Sequence, residues 1–202
     1  MLQRSHKHAR PGRSGGRVTL LFAALLVFGL TATAATAASP HFKGRRPIAF
    51  TDGGLTLTAR ASYAGLGNFD SLQVLTAAGD TASTCTTPSG SNESPGQNPA
   101  PVTVVGSTPV PAGDVKNGNV TVTTSTAAPT SPIPGSPGCP NASWTETITD
   151  VSFTSATLQL WQDQTAGTDG PFGRWETLVL SASCTFDPAT SNGSVTGFTC
   201  TF

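Results

Sequence analysis

LTLTARASY, Leu55 to Tyr63, alternates without a break. Leu55, Leu57, Ala59, Ala61 and Tyr63 fall on one side of an extended chain, and Thr56, Thr58, Arg60 and Ser62 on the other. Period two is the pattern of a strand with one face in a core and the other in water. GLGN ends this segment, and SLQVLTAAG follows as its partner. VTVV and, after Asn117-Gly118, GNVTVTT add two runs rich in β-branched residues, which suit a pleated surface. WTETITDVSF, SATLQLW, ETLVLSASCTF and SVTGFTCTF complete the set. TTPSGSNESPGQNPAP (86–101) is all turn chemistry and reads as loop throughout. APTSPIPGSPGCP (128–140) holds five prolines, which cannot donate to a ladder, and reads as a loop or sheet-edge crossing. No stretch carries a helical period. About eight short strands between Gly/Pro/Asn/Asp turns predict an all-β, antiparallel β-sandwich. An immunoglobulin-like Greek key leads, ahead of a jelly roll or a partly open barrel, which leave a similar record.

The first 37 residues have another composition. Arg4, Lys7, Arg10, Arg13 and Arg17 stand without a carboxylate, followed by the 13-residue apolar run VTLLFAALLVFGL (18–30). Ala35-Thr36-Ala37 then gives the small-x-small pattern that a signal peptidase reads, and the apolar run is short for a membrane span. The expectation is a signal peptide over 1–37, a flexible basic arm over 38–48 and a single β-sandwich domain over 49–202. The protein is then secreted, extracellular or in the cell envelope, with no membrane span once the leader is removed.

Without the leader, six Lys and Arg remain against eleven Asp and Glu, a net charge of −5. Such a surface repels phosphate backbones, which argues against a nucleic-acid partner. Cys85, Cys139, Cys184 and Cys200 all follow the leader. An even count in an exported chain reads as two disulfides, and no pair has the short spacing of a zinc site. The expected pairs are Cys85–Cys139 and Cys184–Cys200. A two-residue turn at Asn192-Gly193 would put Cys184 opposite Thr201, so the second pair requires a longer loop or a bulge, with Asp187-Pro188 as its site.

ASYAGLGNFDSLQVLTAAGDTASTCTTP, SPGQNPAPVTVVGS, KNGNVTVTT and GCPNASWTETITDVSFTSATLQL together resemble a group of small secreted bacterial proteins of unknown function. The resemblance spans about residues 59–160. It implies an exported β-rich domain and supplies no catalytic residue. Members of that group join the last strands by a shorter connection, which sets the stretch after Leu160 apart.

Catalysis has little to work with. His41 is the one histidine after the leader, and nucleophilic chemistry needs a base that accepts a proton near neutral pH. Glycoside hydrolysis needs two facing carboxylates, and Glu146 and Glu176, each near a tryptophan, form the best pair. This hydrolase is the alternative reading. DQTAGTDG (163–170) fails as a calcium hand because Gly167 and Arg174 occupy ligand positions five and twelve and Thr168 the position that needs glycine; only a weak site from Asp163, Asp169 and carbonyls remains. The asparagines of NES, NVT, NAS and NGS match the glycan-acceptor pattern by composition alone. No cofactor and no metal are called for. A rigid Pro129–Pro140 loop beside Cys139 would suit a secreted inhibitor.

LWQDQTAGTDGPFGRW (160–175) carries the functional expectation. With Leu158 and Leu160 inward, and Leu178, Leu180, Ala182 and Cys184 inward on the next strand, Trp161 and Trp175 both point outward. A hairpin about Gly167-Thr168 then pairs the two indoles on the outer face under a mobile loop. Either they are a cross-strand aromatic pair or, with Gln159, Gln162 and Glu176 beside them, a ligand-binding platform. The expected partner is a glycan, an envelope polymer or a protein surface, bound by a non-catalytic module.

Overall fold

The computed structural model describes residues 39–90, 93–97, 99–132, 138–164 and 169–202. The expected leader, Asn92, the middle of the Pro-rich loop and the Gly167-Thr168 turn lie outside them. Eleven strands are present among the described residues: β1 (His41–Phe42), β2 (Ile48–Asp52), β3 (Leu57–Ala64), β4 (Ser71–Thr86), β5 (Glu93–Pro95), β6 (Val102–Val110), β7 (Val120–Ser125), β8 (Thr145–Gln162), β9 (Thr177–Phe186), β10 (Gly193–Val195) and β11 (Phe198–Thr201).

They form two antiparallel sheets. In the first, β3 has β7 along one side and β2, continued by β1, along the other, and β10 lies outside β2. In the second the order is β11-β9-β8-β4, with β6 and β5 sharing the far edge of β4. The chain changes sheet from β3 to β4, from β6 to β7 and again from β7 to β8, and crosses once more to the first sheet and back for β10, between β9 and β11. That is the immunoglobulin-like Greek-key order, in which the first, second and fifth main strands face the third, sixth and seventh.

LTLTARASY sits at the centre of the first sheet. Leu57, Ala59, Ala61 and Tyr63 are fully buried, while Arg60 is exposed. They meet Leu75, Ala77, Phe153, Leu158 and Leu160 from the second sheet in one core. Burying a Leu or Phe there contributes roughly 1.5–3 kcal/mol. Polar groups inside are paired in a chain across the sandwich. Tyr63 donates to Gln73 Oε1 (2.6 Å), Gln73 Nε2 to Thr124 Oγ1 (2.8 Å), and Thr124 to Thr108 Oγ1 (2.8 Å). Burial pushes the Tyr63 phenol well above the usual tyrosine range.

Four local expectations are corrected. The described part of the expected arm, 39–48, is not free: His41 and Phe42 pair with Ala64 and Tyr63, Phe42 packs on Tyr63 (5.4 Å), and Ile48 is in the core. Its apolar residues, masked in the sequence by Lys43, Arg45 and Arg46, dock on the open edge of β3. Inside 86–101, Glu93–Pro95 pairs with β4, because β4 extends seven residues past Gly79 and offers an edge. The strands number eleven rather than about eight. SVTGFTCTF is two strands in different sheets, β10 on β2 and β11 on β9, with Gly197 between them.

Both expected disulfides are present, Cys85–Cys139 and Cys184–Cys200. The second joins residues directly opposite each other, Cα to Cα 4.1 Å. The Asp187–Gly197 bond (3.1 Å) alternates to make Cys184/Cys200 a non-hydrogen-bonded pair, the closer of the two antiparallel spacings. The register works because 187–197 is a long excursion carrying β10, not a tight turn.

Candidate functional site

Alternation on β4 sends Gln73, Leu75 and Ala77 into the core and leaves Leu72 and Val74 on the outer face of the second sheet. Leu72 lies directly opposite Trp161 on β8, and Trp161 opposite Leu178 on β9. The β8–β9 register slips between Leu160 and Trp161, because Leu160 faces Leu180 while Trp161 faces Leu178. Val179 is the extra residue. This bulge turns Leu178 outward, where it is 43% exposed, and corrects its expected place in the inward set.

The connection from β8 to β9 returns over this face. Gly170 and Gly173 bridge, as do Phe172 and Trp175, closing a tight turn at Pro171-Phe172. Trp175 is drawn down onto Leu72 and Val74 and is only 9% exposed. Arg174 lies over its ring, Cζ 4.4 Å from the centroid, and bonds to Asp70 Oδ2 (2.8 Å) and Asp163 Oδ2 (3.3 Å). The ring that meets Trp161 is Phe172, edge-on at 5.4 Å. Phe172 is 39% exposed. Both tryptophans therefore belong to the outer face, but they do not play equal parts. Trp175 is the buried floor of a small second core, and the surface is Trp161, Phe172 and Leu178.

The polar neighbours divide in the same way. Trp161 Nε1 donates to Gln159 Oε1 (3.3 Å), at the surface. Gln162 is buried, held by Ser71 (3.3 Å) and Gln164 (2.7 Å). Glu176 accepts from the Gln164 backbone N–H. Asp70 accepts from the Ala112 N–H (2.8 Å) and from Arg174, and these two bonds hold its carboxyl below the usual aspartate range.

The hydrolase pair does not assemble. Glu146 is opposite Cys85 near the start of β8, and Glu176 adjoins Thr177, which is opposite Gln162 at its end. Sixteen residues of strand separate those positions, on the order of 50 Å at the usual rise. Retaining and inverting mechanisms need roughly 5–10 Å. Glu146 is instead a fully buried structural acid, accepting from Ser83 Oγ (2.8 Å) and from Gly138 N (3.0 Å) beside the Cys85–Cys139 bond. Asp163, offered as a calcium ligand with Asp169, is engaged by Arg174. Among the described residues no group of three or more His, Cys, Asp or Glu is placed to hold a metal. His41 Nδ1 lies 2.8 Å from the Ser39 carbonyl in the β1 region. Gly138 and Cys139, at the end of the supposed inhibitor loop, are tied to Gln97 and Cys85.

Sequence reading gives Phe172 no role and Arg174 only that of breaking the calcium pattern, although PFGRW carries a signal. Gly170-Pro171-Phe172-Gly173 is turn chemistry just before β9, and the turn it forms carries Phe172 to Trp161. Compared with family models, curated proteins and solved structures, the chain has no match.

Proposed function

We propose that this protein is an exported, non-catalytic β-sandwich module that binds a glycan or envelope polymer through Trp161, Phe172 and Leu178. One observation carries the reading: an aromatic and apolar surface, open to solvent, is braced from beneath by a second core separate from the main one. Trp175, Leu72 and Val74 hold the platform, and the Arg174 clamp to Asp70 and Asp163 fixes its edge. A flat indole beside an amide, here Gln159, is suited to stacking on the apolar face of a sugar ring and bonding to its hydroxyls. Two disulfides support an oxidising compartment, and the leader supports export.

The test is a glycan and cell-wall-polymer binding screen with the native protein and with Trp161→Ala and Phe172→Ala. Retention of a polymer by the native protein, lost in both variants while thermal unfolding stays cooperative, is the expected result. Unaltered retention in both variants, or no retention of any polymer, removes the reading.

A further inference from the structure

A second surface lies beside β2, β10 and β11. β10 covers the edge of β2 only as far as Phe50, opposite Val195, and the chain then leaves for the other sheet as β11. A slot of about 440 Å³ opens there, with Ile48, Val195, Phe198 and Phe202 as its apolar lining and Arg45 and Arg46 at its rim. Phe202 is 70% exposed.

We propose that this slot takes an extended acidic peptide, added to β11 as a further strand of its sheet, with carboxylates on Arg45 and Arg46. Three observations lead there. First, the slot has polar rails. The Asp187–Gly197 bond fixes the alternation of the β9–β11 ladder, so Phe198 and Cys200 turn their N–H and C=O groups away from β9. The Ser62–Pro47 bond does the same for β2, turning the Ile48 N–H and C=O away from β3 and past the end of β10. A peptide backbone satisfies such an edge, whereas an acyl chain would bury it unpaired. Second, Phe198, Cys200 and Phe202 line the slot from every second position of one chain segment, which suits a partner with apolar residues at every second position. Third, the charge is complementary. Among the described residues the ion pairs are those of Arg174, so Arg45 and Arg46 stand side by side without a carboxylate, in a domain that is otherwise acidic. A second copy fits less well, because the edge strand it would offer, Phe198–Thr201, carries no carboxylate for Arg45 and Arg46.

The experiment titrates the isotope-labelled, disulfide-bonded protein with acetyl-(Val-Glu)3-amide and follows backbone amide shifts. Saturable shifts confined to 45–49 and 198–202 are expected. Binding should weaken roughly tenfold or more in R45E/R46E and should rise as salt is lowered. A peptide N-methylated at its three valines, whose N–H groups face β11 when their side chains fill the slot in an antiparallel strand, should fail to bind. Shifts elsewhere, equal affinity for the N-methylated peptide, or a dimer that fills the slot and excludes the peptide would each overturn the proposal. The substitutions lie on exposed side chains, and an unchanged unfolding temperature separates loss of binding from loss of fold.

Discussion

A methyl group on Gly138 would overlap Glu146 Oε1, so the carboxylate and the chain entering Cys139 are fitted to each other at atomic contact. A fully buried acid persists there because both oxygens are occupied, one by a hydroxyl and one by an amide. Removing the acid strands two buried donors, so Glu146→Ala should destabilise by about 2–4 kcal/mol, read from the urea midpoint. Glu146→Gln keeps the shape but points an NH2 at one of the donors, and should lie between the two. Asp70 gives a pH-dependent counterpart. Its carboxyl sits below the usual aspartate range because the Ala112 N–H and then Arg174 favour the ionised form. A depressed acid stabilises above its unfolded value and loses that contribution as pH falls through the folded one. Tryptophan emission should therefore stay constant from pH 7 to about 4 and change only below it. Asp70→Asn should abolish that acid step while lowering stability by less than ~1 kcal/mol, since both partners of the pair are partly exposed. A transition centred near pH 5–6 would place the sensor elsewhere.

The elements show where reading by period succeeds and where it stops. LTLTARASY was legible because every second side chain enters the core and nothing interrupts the count. β4 and β8 were legible only in pieces, since each exceeds fifteen residues and their pairing is bulged twice. Both extra residues, Thr149 and Thr154, lie on β8, and their hydroxyls bond to the Ala82 and Ala78 carbonyls. SLQVLTAAG, as read from the sequence, ends at Gly79, but the strand does not. Gly79 is the position where β8 passes so close that a Cβ would stand 2.6 Å from Ser152 O and 2.8 Å from Phe153 Cα. Gly79→Ala should therefore cost about 1–3 kcal/mol by forcing backbone apart, with the urea m-value unchanged. An alanine tolerated without loss would mean that the bulge relaxes freely. The same bulge physics hid Leu178 and hence the composition of the surface patch. β1, β5 and β10 carry too few residues for any period, and exist because a longer neighbour offers them an edge.

At the scale of the molecule, two covalent ties close the sandwich at different places. Cys85–Cys139 spans 54 residues and Cys184–Cys200 spans 16; loop-closure entropy assigns them about 4 and about 3 kcal/mol. Their surroundings separate them further. The first is packed against Glu146, whereas the second lies on an edge strand whose approach from β9 is also anchored without sulfur. Thr190, midway along 187–197, donates to buried Asp52 and accepts from the Phe153 N–H (2.8 Å), fastening the excursion to both sheets. The disulfide and Thr190 restrain the same segment, so each limits the damage when the other is lost. C184A/C200A should fold and lose about 3 kcal/mol, and Thr190→Val should lose about 1–3 kcal/mol by leaving Asp52 short of a donor. Combined, they should lose more than the sum, by roughly 0.5 kcal/mol or more, because the excursion is then free to detach. Unfolding free energies of the four proteins in urea close the cycle. Additivity within ~0.3 kcal/mol would show that β10 and β11 are held independently, and that the flank bearing the arginine slot is two separate edges rather than one braced unit.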